Sequence, residues 1–246
     1  MLQVVGVIPA RIASTRLEEK LLKPLAGRSV IEWTWANARK SKRIDDLIIA
    51  CDDERVLKTA QGFGAKAVFT SVNHSSGTDR ISEAVSQIEA KIVINIQADE
   101  PLIHPSTIDS LADQMLGNQD LVMCTAAKEI TDQEEIANPN VVKVVMDKDN
   151  FALYFSRASI PFPRDKECSP KYYKHIGIYA YTKDFLYIFK NLPAGRLEQI
   201  EKLEQLRALE AGFKIKVIST SFDSWGIDTE QDLIKVERIL AEKGYA

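Results

Sequence analysis

The chain has 246 residues, 45% of them hydrophobic and 27% charged, with a formal net charge of −3. This is the composition of one large α/β domain with a sizeable core. Its slight acidity excludes the broad basic surface that holds nucleic acid, while leaving room for a local cationic pocket. Three dispersed cysteines, Cys51, Cys124 and Cys168, show no CxxC spacing and read as reduced thiols rather than a disulfide framework or zinc site. No apolar run reaches the roughly 18 residues that cross a bilayer, and no basic stretch leads into an apolar segment as in a signal peptide. A cytoplasmic protein with no membrane partner is expected.

In chain order, Val4–Ile8 is apolar and largely β-branched, and Pro9 cuts it off, so it predicts a buried strand that stops abruptly. A polar loop with Arg11, Ser14, Thr15, Arg16 and Lys20 follows. In an open α/β sheet, ligands bind beyond the carboxyl ends of the strands. Three fixed cations leaving such an end point to a phosphate-bearing ligand. Val30, Ile31, Trp33, Trp35 and Ala38 predict a helix over 29–42, and the basic residues at its end suit a helix C-terminus. Strands at 47–51, 67–70 and 92–96 then alternate with helices at 54–61, 81–90 and 105–116. The loop holding Ser76, Gly77 and Thr78 enters a helix and offers free N–H groups and hydroxyls. This alternation predicts a doubly wound, mainly parallel sheet. The second half predicts strands at 121–127, 141–146, 174–181 and 214–218, a Pro- and charge-rich loop at 161–171, one amphipathic helix over 196–210 and a last helix over 230–242. The expected whole is a single α/β domain, 1–246, with a mixed sheet and an inserted antiparallel subregion near 150–210 serving as lid or dimer contact.

Chemistry-bearing residues converge on the carboxyl edge of that sheet. Asp99 follows the strand at 92–96, and Asp228 stands in a Gly-x-Asp-Thr turn before the last helix. Two carboxylates facing Arg11, Arg16 and Lys20, with no cluster of Cys or His, suit Mg²⁺. That ion takes one or two carboxylates, keeps waters and completes its sphere with substrate phosphates. Phosphoryl-type transfer uses such a set, because metal, Arg and Lys stabilise charge developing on phosphate oxygens. Each residue alone also has a plain structural reading. Asp228 reads as a helix cap, Asp99-Glu100 as a turn, Lys20 as a solvated lysine, Arg157 as an ion-pair partner and His175 as a satisfied core histidine. Neither a Walker loop nor GxGxxG follows the first strand.

The segments IPARIASTRLEEK (8–20), HSSGTDR (74–80), NIQADEPLI (95–103), YFSRASIP (154–161), KHIGIYAY (174–181), LEQIEKLEQLR (197–207) and GIDTEQDL (226–233) occur in this order. Together they resemble the nucleotide-sugar cytidylyltransferases, most closely the branch that activates 3-deoxy-D-manno-octulosonate (Kdo) for lipopolysaccharide synthesis. The resemblance implies a Rossmann-like nucleotidyltransferase fold, a homodimer, and Mg²⁺ on Asp99 and Asp228. It implies CTP on Pro9, Ala10, Arg11, Lys20, Ser76, Gly77, Thr78, Arg80, Gln97 and Ala98, and Kdo on Arg157, His175, Tyr179, Glu204 and Gln205. Lys20, Arg11, Asp99 and Asp228 are the implied catalytic residues. Rival expectations are a cytidylyltransferase for 8-amino-Kdo or another acidic sugar, and a catalytically silent nucleotide-sugar-binding protein. Two departures stand out. The family's usual Pro-Gly before the lysine is Glu18-Glu19 here, and Glu19 is expected to weaken the field at Lys20. Its usual Gln-Gly-Asp-Glu is Gln97-Ala98-Asp99-Glu100, and Ala98 would be strained if that position needs a positive φ.

Overall fold

The computed structural model describes residues 2–14, 16–165 and 169–242. Thr15, Cys168 and part of the loop predicted at 161–171 lie outside the described residues. The first half runs β1 (Leu2–Ala10), a 3₁₀ turn (Lys20–Leu22), a small ladder of β2 (Pro24–Leu25) and β3 (Arg28–Ser29), α1 (Val30–Ala38), β4 (Asp46–Cys51), α2 (Glu54–Gly62), β5 (Lys66–Phe69), α3 (Gly77–Ala84), β6 (Ala90–Asn95) and α4 (Pro105–Leu116). The second half runs β7 (Met123–Ile130), α5 (Gln133–Ala137), β8 (Lys143–Met146), β9 (Ala152–Ser156), β10 (Tyr172–Thr182), α6 (Lys183–Asn191), α7 (Arg196–Glu201), α8 (Leu206–Glu210), β11 (Lys216–Ser219) and α9 (Glu230–Glu242).

The main sheet has the order β11-β7-β10-β6-β1-β4-β5, with β8 and β9 attached through β10. β1 pairs in parallel with β4 and β6, and β4 with β5, as the alternation in the sequence predicts. β10 is antiparallel to both of its long neighbours, β6 and β7. Antiparallel entry brings its early residues to the edge where β1, β4 and β6 end, since Tyr179 pairs with Asn95 at the carboxyl end of β6. The apolar strand runs bury both faces of the sheet. Val4, Ile8, Ile49 and Ile94 pack on one side with α1 and α4 residues, and Val5, Val7, Ile48 and Val93 on the other with α3 and α6 residues.

A third, smaller cluster matters more for function. Leu17, Leu25, Val30 and Trp33 pack against Ile227, Leu233, Val236 and Leu240. Each such side chain contributes about 1.5–3 kcal/mol when fully buried. This cluster docks α9 on the loop after β1, which brings residue 228 back to residue 20.

Several features differ from the sequence reading: α3 ends at Ala84 instead of running over 81–90, and α5, β9 and the β2–β3 ladder are elements that reading lacks. The segment 196–210 is not one helix: α7 ends at Lys202, which is left-handed (φ 55°, ψ 47°), before α8 starts. Buried Leu203 and Gln205 lie in the break; two positions apart, they would fall about 200° apart around a continuous helix, so one helix could not bury both on one face. The sequence reading also lacks α6, a helix that Thr182 caps through the Phe185 N–H and that buries Phe185, Leu186 and Phe189.

Candidate active site

Lys20 is the meeting point of the site. Its Nζ lies 2.5 Å from Asp99 Oδ2 and 2.9 Å from Asp228 Oδ1, and Arg16 reaches Asp228 Oδ2 at 2.8 Å. Burial alone would lower the Lys20 pKa, but the charge and hydrogen bonds of the two aspartates hold it above the ordinary lysine value. The ammonium is therefore fully charged at neutral pH. Asp99 follows β6, and its carbonyl accepts the Ile227 N–H at 2.9 Å. Ser224 donates to Glu100 at 2.5 Å, and Asp223 pairs with Lys174 at 3.0 Å. The Ile227 and Ser224 contacts fasten the segment carrying Asp228 to the end of β6, and the Asp223–Lys174 pair ties it to β10. Asp99 and Asp228 thus bring two hard carboxylates to one point, of the donor type Mg²⁺ takes; Lys20 and Arg16 balance their charge, and among the described residues no group of three or more acidic, His or Cys side chains gathers there.

Glu19 occupies the left-handed region, φ 50° and ψ 32°, and its carboxylate pairs with Arg55 rather than turning to Lys20. The expected weakening of the field at Lys20 is thus offset by a partner on α2. Ala98 is not among the residues with positive φ, so the expected strain is absent. Ala98 is buried, and its carbonyl accepts from Thr34 at 2.9 Å.

Arg11 follows β1 and is exposed. With Pro9, His74, Ser76, Gly77 and Arg80 it lines a recess of about 80 Å³. Ser76 caps α3 through a capping box with Asp79, so the first turn of that helix borders the recess. Ala10 faces the core, and Thr78 is buried and donates to Glu204 Oε2 at 2.9 Å. Arg80 is 2% exposed, and its guanidinium is engaged by Asp52 at 2.8 Å and Thr70 at 2.6 Å. Asp52 also accepts the Ile12 N–H at 3.0 Å, tying the loop after β1 to α3. The sequence reading treats Asp52 only as part of an acidic cap for α2. Asp53 performs that capping, and Asp52, one residue earlier, points across the sheet edge.

A second cavity, of about 190 Å³, is lined by Asn95, Gln97, Gly177, Tyr179, Glu204 and Gln205 among others. Glu204 Oε1 and Gln205 Nε2 are buried with no hydrogen-bond partner among the described residues. Burial raises the Glu204 pKa, against the pull of Thr78 and Arg207. A buried polar atom without a partner is costly, so these atoms suit a polar ligand. His175 packs 5.4 Å from the Tyr179 ring, and burial lowers its pKa to about 3. His175 therefore stands beside this cavity and not in its lining, and Arg157 does not line it either. Its Nε donates to the Glu201 carbonyl at 2.8 Å and its Nη1 to the Pro139 carbonyl at 3.1 Å.

A sequence model of the family described as cytidylyltransferase matches residues 5–216. The chain belongs to the cytidylyltransferase family. Within this family, a 3-deoxy-manno-octulosonate cytidylyltransferase from Chloroherpeton thalassium is 48% identical over 98% of this chain and 99% of its own. An 8-amino-3,8-dideoxy-manno-octulosonate cytidylyltransferase from Shewanella is 46% identical over 98% and 99% of the two chains. A solved CMP:2-keto-3-deoxy-manno-octonic acid synthetase complexed with CTP superposes with a TM-score of 0.93 at 40% identity, covering 98% of this chain and 99% of that one. The cytidylyltransferase resemblance read from the motifs and the α/β nucleotidyltransferase fold are both borne out.

Proposed function

We propose that this chain transfers CMP from CTP to Kdo, giving CMP-Kdo and pyrophosphate. The observation that carries the reading is Lys20 between Asp99 and Asp228, placed at the carboxyl edge of the sheet. It is supported by relatives whose names specify this activity and by the CTP complex of a close structural neighbour. The anomeric hydroxyl oxygen of Kdo bonds to the α-phosphorus of CTP, the bond from that phosphorus to the bridging oxygen breaks, and pyrophosphate leaves with its electron pair. The hydroxyl proton is released to solvent. Two anions must approach, and Lys20 and Arg11 offset the repulsion that would raise the barrier. The recess lined by Pro9, Arg11, Ser76, Gly77 and Arg80 takes the nucleotide, whereas Gln97 lines the second cavity and Ala10 and Ala98 pack in the core beneath the sheet edge. The cavity holding Tyr179, Glu204 and Gln205, with His175 beside it, takes the sugar. Arg157 anchors the end of α7 just before Glu204. Mg²⁺ held by Asp99 and Asp228 would supply positive charge to the phosphate oxygens. We place the reaction in the cytoplasm, where CTP is available. Among the described residues, no helix is long and apolar enough to cross a membrane. A homodimer joined through the second half is supported by exposed Leu153, Phe162 and Ile200; sedimentation as a monomer at micromolar concentration would remove it.

A coupled assay of pyrophosphate release with CTP and Kdo, 8-amino-Kdo or N-acetylneuraminate tests the function. Release with Kdo is expected. Faster release with 8-amino-Kdo would reassign the sugar, and no release with any of them would favour a silent binding protein. Asp99→Asn and Asp228→Asn should each lower turnover roughly 100-fold or more while the chain stays folded. Near-normal turnover at saturating Mg²⁺ would sink the metal assignment.

A further inference from the structure

Thr125 lies in β7, wholly buried, where β10 bulges between Ile176 and Tyr179. Its Oγ1 fills the gap left by the bulge. It is 2.8 Å from the Ile178 carbonyl, 3.3 Å from the Ile176 carbonyl and 3.1 Å from His175 Nε2. A hydroxyl has one proton to donate, and carbonyls can only accept. That proton is committed to Ile178, so the hydroxyl oxygen can only accept from His175. The hydrogen on the ring must then sit on Nε2. Burial keeps the imidazole neutral, which leaves a lone pair on Nδ1. Nδ1 has no hydrogen-bond partner among the described residues. Phe155 at 5.1 Å, edge-on, and Tyr179 at 5.4 Å pack against the ring.

We propose that Thr125 is a positioning residue that locks His175 in the Nε2–H tautomer, so that Nδ1 is presented to the acidic sugar as a hydrogen-bond acceptor. This rests on reading the neighbouring cavity as the sugar site. A histidine fixed in this way selects a hydroxyl at that point of the sugar and disfavours a carbonyl or carboxylate there. Thr125 touches no substrate and acts through the ring.

The test uses the full chain labelled with ¹⁵N-histidine, read by long-range ¹H–¹⁵N correlation at neutral pH, with the His175 signals assigned by their loss in His175→Asn. The expected spectrum shows a protonated Nε2 and an unprotonated Nδ1. Thr125→Val should give a tautomer mixture and raise KM for Kdo roughly tenfold, with KM for CTP unchanged. Thr125→Ser should restore both. A protonated Nδ1 in the parent overturns the proposal, and so does a Thr125→Val protein with parental KM for Kdo. Should Thr125→Val fail to fold, the parent spectrum and the Thr125→Ser kinetics still decide. Failure of every acidic sugar to react would count against the functional reading instead, and the spectrum would still report the tautomer.

Discussion

Glu19 shows what a single residue can conceal. Its identity is plain in the sequence, but its conformation and partner are not. The backbone at φ 50° is the reason glycine suits this position. An L-residue there is disfavoured by roughly 1–2 kcal/mol, because its Cβ crowds the following carbonyl. Arg55 holds the glutamate side chain while also gripping Asp53 at 3.0 Å, so the acid faces α2 and not Lys20. Glu19→Gly should therefore be about 1 kcal/mol more stable in urea unfolding than Glu19→Ala, since both lose the carboxylate and only glycine is at ease in the left-handed region. Equal stabilities would place residue 19 outside that region. The same limit applies to Asp99 and Asp228. Their residue types are readable, but their meeting on Lys20 depends on packing over 208 residues of separation.

Between elements, buried charge does what exposed charge does not. The Arg80–Asp52 pair, with side chains 2% and 7% exposed, joins the start of α3, the end of β4 and the loop after β1. Removing one partner strands the other without solvent, which typically costs about 3–5 kcal/mol. Asp52→Ala should lose roughly that much stability in chemical denaturation, whereas Lys58→Ala, from an exposed pair on α2, should stay within about 0.5 kcal/mol. A near-neutral Asp52→Ala would show that the tie does not carry the loop. The break between α7 and α8 belongs to this scale as well. Apolar periodicity alone reads 196–210 as one helix, because Leu197, Ile200, Leu203 and Leu206 recur every three residues. A left-handed Lys202 resets the phase, so that Glu204 and Gln205 can line the cavity.

At the scale of the molecule, stability and function meet in the way β10 is inserted between β6 and β7. This burial keeps His175 neutral, with its pKa near 3 instead of 6.5. The unfolded chain binds a proton that the fold refuses, so the contribution is complete above pH 6.5 and is lost as pH falls toward 3. The loss is up to about 1.4 kcal/mol per pH unit. His175→Asn should flatten the fall in stability between pH 6.5 and 4 relative to the parent, measured by urea unfolding at each pH. An unchanged slope would show that His175 protonates freely in the folded protein. By itself, the sequence determined the strand–helix alternation of the first half, the cationic loop after β1 and the types of the site residues, because these follow from local apolar periodicity and from motif chemistry. Only the tertiary structure decided that a late strand lies antiparallel at the middle of the sheet, that the α9 cluster returns Asp228 to Lys20, and that Arg157 ties Glu201 to Pro139 instead of lining the cavity of Glu204 and Gln205. Those outcomes depend on which apolar faces cover one another and which buried polar groups find partners, and neither is encoded within any one stretch of chain.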